Sequence, residues 1–81
     1  MKIYVTDNDI EQGIPHDTTF CPVALALYRT TGDQDVNVGG FRARSNHRFY
    51  ALPKRVQNWI RRFDRGQPVK PFSFVLDSPL W

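Results

Sequence analysis

Eighty-one residues, 41% of them apolar and 14% aromatic, suffice for one packed domain over residues 1–81 and leave no room for a second core. A single cysteine, Cys21, excludes an internal disulfide framework, and no apolar run approaches the ~20 residues of a membrane-crossing helix. The net charge of +3 conceals a division: residues 41–66 carry eight basic side chains against Asp64 alone, whereas residues 1–40 carry six acids against Lys2 and Arg29.

The chain opens on KIYVT, in which Ile3 and Val5 alternate with Lys2, Tyr4 and Thr6, the period of a half-buried strand. No long apolar centre follows Met1, so the N-terminus reads as a native start rather than a secretory leader, and the expected compartment is the cytoplasm. Thr6 or Asp7 can cap a short helical turn whose acids favour its positive end, with Gly13 as a stop. IPHDTT then reads as a loop. Pro22 fits the first turn of a second helix, where its missing amide hydrogen costs nothing. Val23 to Tyr28 are apolar almost all round, which predicts burial on most sides, and Gly32 ends the helix.

VNVGGFRARSNHRFYAL predicts a hairpin, with Gly39–Gly40 as a bend or bulge at its entrance. A three-residue loop, Ser45–Asn46–His47, sets Arg44 opposite Arg48 and Arg42 opposite Tyr50, and gathers Phe41, Ala43, Phe49 and Ala51 on a buried face. A Ser45–Asn46 turn would instead put Arg48 among the apolar residues, so the hydrophobic pattern favours the longer loop. Pro53 opens a helix in which Val56, Trp59, Ile60 and Phe63 form an apolar stripe at i, i+3, i+4 and i+7. Lys54, Asn58, Arg61 and Arg65 take the opposite side, flanked by Arg55 and Arg62, and Gly66 stops the helix. PFSFVLD predicts a last strand with Phe72, Phe74 and Leu76 inward, and SPLW is a tail. The order β-α-α-β-β-α-β predicts an α+β fold, a two-layer sandwich with helices on one face of a mostly antiparallel sheet.

Three segments, CPVALAL, LPKRVQNWIRRFDRG and QPVKPFSFVLD, together resemble a set of small proteins of bacteriophages and bacterial genomes. The shared features are a Cys-Pro helix and the spaced Leu-Pro, Val, Trp-Ile, Phe-Asp, Gly, Pro-Val and Pro-Phe-x-Phe that follow it, over most of the chain. The resemblance implies a phage or prophage setting within a bacterial host cell. Small phage proteins of this size are often accessory factors that engage host or defence components. It carries no catalytic residue over to this chain.

The residues themselves offer no acid–base pair at a recognised spacing, no glycine-rich phosphate loop and no standard metal-ligand spacing, so no cofactor or metal is expected. Cys21 lies near a helix N-terminus, five residues from His16, but between Phe20 and Pro22 a packing role is the simpler reading. The predicted ligand site is the hairpin: Arg42, Arg44, Arg48 and Tyr50 on one face with His47 at the tip. Guanidinium forks match phosphate and carboxylate geometry, and a phenol can stack or donate. Asp33 and Asp35 are the acids placed to neutralise that cluster from within. Lys54, Arg55, Arg61, Arg62 and Arg65 form a second basic surface, which is explained as a solvated helix face or, alternatively, as an anion-binding surface that helps the hairpin. These features predict a non-catalytic module for a nucleotide or nucleic acid, or alternatively a surface for a host protein or a second copy of the chain. The charge division and the apolar tail Leu80–Trp81 motivate that alternative.

Overall fold

The structure, a computed structural model, describes residues 1–77 and Pro79. Thr6 closes β1 (Lys2–Val5) and opens α1 (Asp7–Gln12) through a reciprocal cap. The Asp9 amide donates to the Thr6 hydroxyl at 3.2 Å, and the Thr6 amide donates to the Asp9 carboxylate at 2.9 Å. The Asp9 carboxylate is only 3% exposed and also receives both prongs of the Arg29 guanidinium, at 2.7 and 2.8 Å. Arg29 further donates to the Tyr4 carbonyl at 2.8 Å, so one arginine ties β1, α1 and α2 (Pro22–Thr31) together. Burial raises the Asp9 pKa, but the hydrogen bonds from Arg29 and Thr6 outweigh it and hold the carboxyl below its ordinary value.

Gly13 ends α1 because two chain segments meet there: a Cβ would lie 2.5 Å from the Pro22 ring. Cys21 caps α2, its Sγ accepting from the Ala24 amide at 3.4 Å, and Pro22 occupies the first turn as predicted. Val23, Ala24, Ala26 and Leu27 are all buried. The helix packs on β1 and on β2 (Asn37–Val38) and β3 (Arg42–Ser45), which belong to different sheets. Gly32, left-handed at φ 73°, stops it.

The fold is α+β and every strand pairing is antiparallel, in two sheets. One pairs β1 with β5 (Phe72–Val75), placing Ile3 opposite Phe74 and Val5 opposite Phe72. The other has the order β2-β3-β4, with β4 over Arg48–Ala51. The short β2 adds one strand to the predicted order. Gly39–Gly40 form the bend between β2 and β3, where the Gly39 amide donates to the Arg42 carbonyl at 2.9 Å.

Helix α3 (Lys54–Asp64) buries Val56 and Ile60 and leaves Trp59 and Phe63 half-buried, so the predicted stripe lies at the edge of the core. Pro53 supplies no side-chain cap, and Gln57 reaches back to donate to the Leu52 carbonyl at 2.8 Å. Gly66, at φ 74°, turns the chain out of the helix. Phe74 and Leu76 are buried as predicted, while Phe72 is half-buried against Trp59. Leu80 and Trp81, the predicted tail anchor, lie outside the described residues.

Candidate anion-binding site

The hairpin does not have the predicted register. Asn46 and His47 both take left-handed conformations, at φ 52° and 64°, the pair of positive values that a two-residue I′ turn needs. Ser45 therefore pairs with Arg48, Arg44 with Phe49, Ala43 with Tyr50 and Arg42 with Ala51. Arg42 and Arg44 share one face with Phe49 and Ala51. Arg48 and Tyr50 fall on the opposite face, beside the buried Ala43 and Ser45. The predicted cluster of three arginines and a tyrosine on one surface is thus divided in two.

Polar contacts around the turn account for this register. The Ser45 hydroxyl donates inward to Thr31 Oγ1 at 3.1 Å, next to the end of α2, so a serine expected in the loop is satisfied as a buried member of β3. The Asp33 carboxylate accepts from the Asn46 amide at 2.6 Å and from the Asp35 amide at 2.9 Å, hydrogen bonds that lower its pKa. Asparagine tolerates the left-handed region better than most residues. Of the apolar residues assigned to the buried face, Ala43 is buried as predicted, whereas Ala51 is exposed and Phe41, 73% exposed, precedes the strand. Phe49 is half-buried under the Arg42 guanidinium, 4.9 Å from the ring centroid.

The hairpin arginines are also partly used by the fold. Arg44 lies 3.3 Å from the Asp35 carbonyl and 3.5 Å from its carboxylate, the internal neutralisation the sequence allowed for. Arg48 is exposed without an ion pair among the described residues, and His47 is exposed in the turn.

The second basic surface has a different geometry. Arg55, Asn58, Trp59 and Arg62 lie at i, i+3, i+4 and i+7 on one side of α3, and after Gly66 the chain returns along that side through Pro68, Val69, Lys70, Pro71 and Phe72. Between helix and returning segment runs a groove of about 650 Å³ lined by these residues. The Trp59 indole N–H donates to the Lys70 carbonyl at 2.9 Å and fixes the far wall. Arg55 donates to the Ser73 carbonyl at 2.8 Å, and Arg62 donates to the Pro68 carbonyl at 3.1 Å. Both guanidiniums are held by neutral carbonyls, which leave their charge uncompensated, and Arg55 also lies over the Phe72 ring, 6.0 Å from its centroid.

No carboxylate among the described residues lies within ion-pair distance of Arg55, Arg62 or Lys70, nor of Lys54, Arg61 or Arg65. Arg61 lies 3.4 Å from the Asn58 side-chain oxygen, a neutral acceptor. Asp64, the one acid of α3, is occupied on another side: it accepts from the His16 amide at 2.9 Å, with the His16 ring 3.8 Å away. Lys70 is a site residue that the sequence reading missed. Its signal was the pair Pro68 and Pro71, which hold an extended return after the Gly66 stop, but the approach of that return to the helix is tertiary.

His16, Asp17, Cys21 and Asp64 line a small cleft of about 200 Å³. Burial pushes the Cys21 thiol up to about 11, beyond what its capping hydrogen bonds offset, so it is not a thiolate nucleophile at neutral pH. Among the described residues no group of three His, Cys, Asp or Glu side chains is disposed to hold a metal ion. No described helix is long and apolar enough to cross a membrane. No protein-family model, curated protein or solved structure matches the chain.

Proposed function

We propose that the protein is a small non-catalytic binding module that captures an anionic ligand, a nucleotide or nucleic acid, in the groove between α3 and residues 68–72. The observation that carries this reading is the set of Arg55, Arg62 and Lys70 around one groove without a carboxylate partner among the described residues. Three cations lining one groove without acids set a positive potential in it, and guanidinium forks suit phosphate oxygens. The volume lies in the range of ligand sites, about 300–1,000 Å³. The hairpin arginines play a lesser part, since their register separates Arg48 from Arg42 and Arg44. The phage-like pattern of the Cys-Pro helix and the α3 segment suits an accessory factor that sequesters a signalling nucleotide, or a nucleic acid, from a host defence complex.

The test is a binding titration at low salt with labelled nucleotides and oligonucleotides, on the wild-type protein and on Arg55→Gln/Arg62→Gln. Binding by the wild type that is abolished in the variant supports the groove. Failure of every anion to bind the wild type at low salt removes the reading.

A second reading, a protein partner or a second copy of the chain, is favoured by one further feature. Phe20 and Tyr28 are about half exposed and, with Leu25 and Val36, line an apolar cleft of about 440 Å³ away from the basic groove. Aromatic anchors are frequent at protein interfaces. Sedimentation of the wild type and of Phe20→Ser/Tyr28→Ser would reveal self-association that depends on this cleft; a strict monomer in both removes the second-copy version.

A further inference from the structure

We infer that the groove holds the phosphodiester backbone of single-stranded nucleic acid, recognised through its phosphates and not its bases; this rests on the anion-binding reading above. The first reason is the layout of charge. Arg55 and Arg62 are seven residues apart on α3, which places them nearly in line and about 10 Å apart along the axis. Lys70 stands on the facing wall. A small phosphate monoester is best held by cations converging on one point, whereas a line of cations with a third across the groove follows a chain of separated charges.

The second reason is what the aromatic residues do. Trp59 lies parallel to Phe63, 3° between planes and 5.8 Å between centroids, and packs on Phe72 at 4.8 Å. Its indole N–H is already donated to the Lys70 carbonyl. Trp59 is therefore a built wall whose ring packs within the protein, unlike the open aromatic platforms on which single-stranded binders stack bases. Recognition then falls to the guanidinium and ammonium groups, which cannot distinguish one base from another.

The third reason concerns shape. The charged surface here is a concave channel between a helix and an extended segment, which admits one backbone. Further round α3, outside the channel, Arg61 and Arg65 are exposed and without acid partners among the described residues, and they add to the positive potential of the helix.

Fluorescence anisotropy with labelled oligothymidylate, a mixed-sequence strand, the corresponding duplex and thymidine monophosphate as competitor tests this. Both strands should bind within about threefold of each other, since phosphate contacts carry no sequence information. Engagement of three phosphates gives a log–log salt slope near −2, so a fourfold rise in salt should weaken strand binding about 20-fold. Each of Arg55→Gln, Arg62→Gln and Lys70→Gln should make that slope shallower by about 0.7, with unchanged circular dichroism. The inference is overturned, with the anion-binding reading intact, by displacement of the strand by thymidine monophosphate at comparable concentrations, by tighter binding of the duplex, or by a slope unmoved in the variants. If strand, duplex and monophosphate all fail to bind at low salt, both readings fall.

Discussion

The hairpin and the α3 groove hold most of the molecule's basic residues, yet they treat that charge in opposite ways. In the hairpin, Arg44 meets Asp35, Arg42 covers Phe49, and the register sends Arg48 to the other face. In the groove, Arg55 and Arg62 are positioned by backbone carbonyls, Arg55 also lies over the Phe72 ring, and the one acid of the helix is bound to His16, so no carboxylate meets either guanidinium. Charge engaged by the fold contributes to structure. Charge that is oriented but not neutralised is available for a ligand. Counting arginines along the chain does not separate the two cases; their partners do.

The largest expected effect breaks or upholds this contrast directly. Arg55→Gln/Arg62→Gln/Lys70→Gln should weaken oligonucleotide binding at low salt by at least about 100-fold, on the order of 1 kcal/mol or more for each cation removed from the groove. Arg42→Gln/Arg44→Gln/Arg48→Gln should change it only through the lower net charge, about threefold to tenfold. Equal effects of the two triple variants in an anisotropy titration would erase the distinction between the regions.

Arg29 sharpens the same contrast through stability. Arg29→Ala leaves the buried Asp9 carboxylate without its guanidinium fork and should cost about 2–3 kcal/mol in urea unfolding at neutral pH, allowing for the half-exposed arginine. Arg62→Ala, whose charge faces the groove, should cost within about 0.5 kcal/mol. The folded-state pKa of Asp9 is depressed, so its contribution is present above the unfolded value and disappears as pH falls through the folded one. Acid should therefore destabilise the wild type more than Arg29→Ala, and parallel declines in stability from neutral to acid pH would contradict the assignment.

A smaller effect tests the register that divides the hairpin. Asn46→Ala replaces a side chain that tolerates the left-handed conformation at φ 52° with one that does not, and should destabilise the protein by about 1 kcal/mol in thermal or urea unfolding. A right-handed residue at this position, as in the longer loop, would accept alanine at no cost.

Much of the backbone plan was legible because it is local. Pro22, Gly32 and Gly66 mark helix ends, Thr6 caps α1, and the alternation in KIYVT and PFSFVLD marks two strands. The hairpin register was not, because Ser45 joins β3 and is buried against Thr31, which shifts β4 by one residue and turns Phe49 and Ala51 to the face of Arg42 and Arg44. The short β2 was missed because two residues, Asn37 and Val38, carry no period of their own. Of the site, the basic residues of α3 were visible as a helix face. What the sequence hid was the return of residues 68–72 against that face, which converts a solvated surface into a groove and recruits Lys70. The acid partners of the arginines were half visible: Asp35 could be named beside the hairpin, but nothing local sends Asp64 to His16.

Amide and indole shifts followed by nuclear magnetic resonance during titration with a short oligothymidylate examine the central claim most directly. The account predicts changes at the Trp59 indole N–H, along residues 55–62 and along 68–73, with small ones over 42–50. Changes concentrated in the hairpin, or none at low salt, would contradict it.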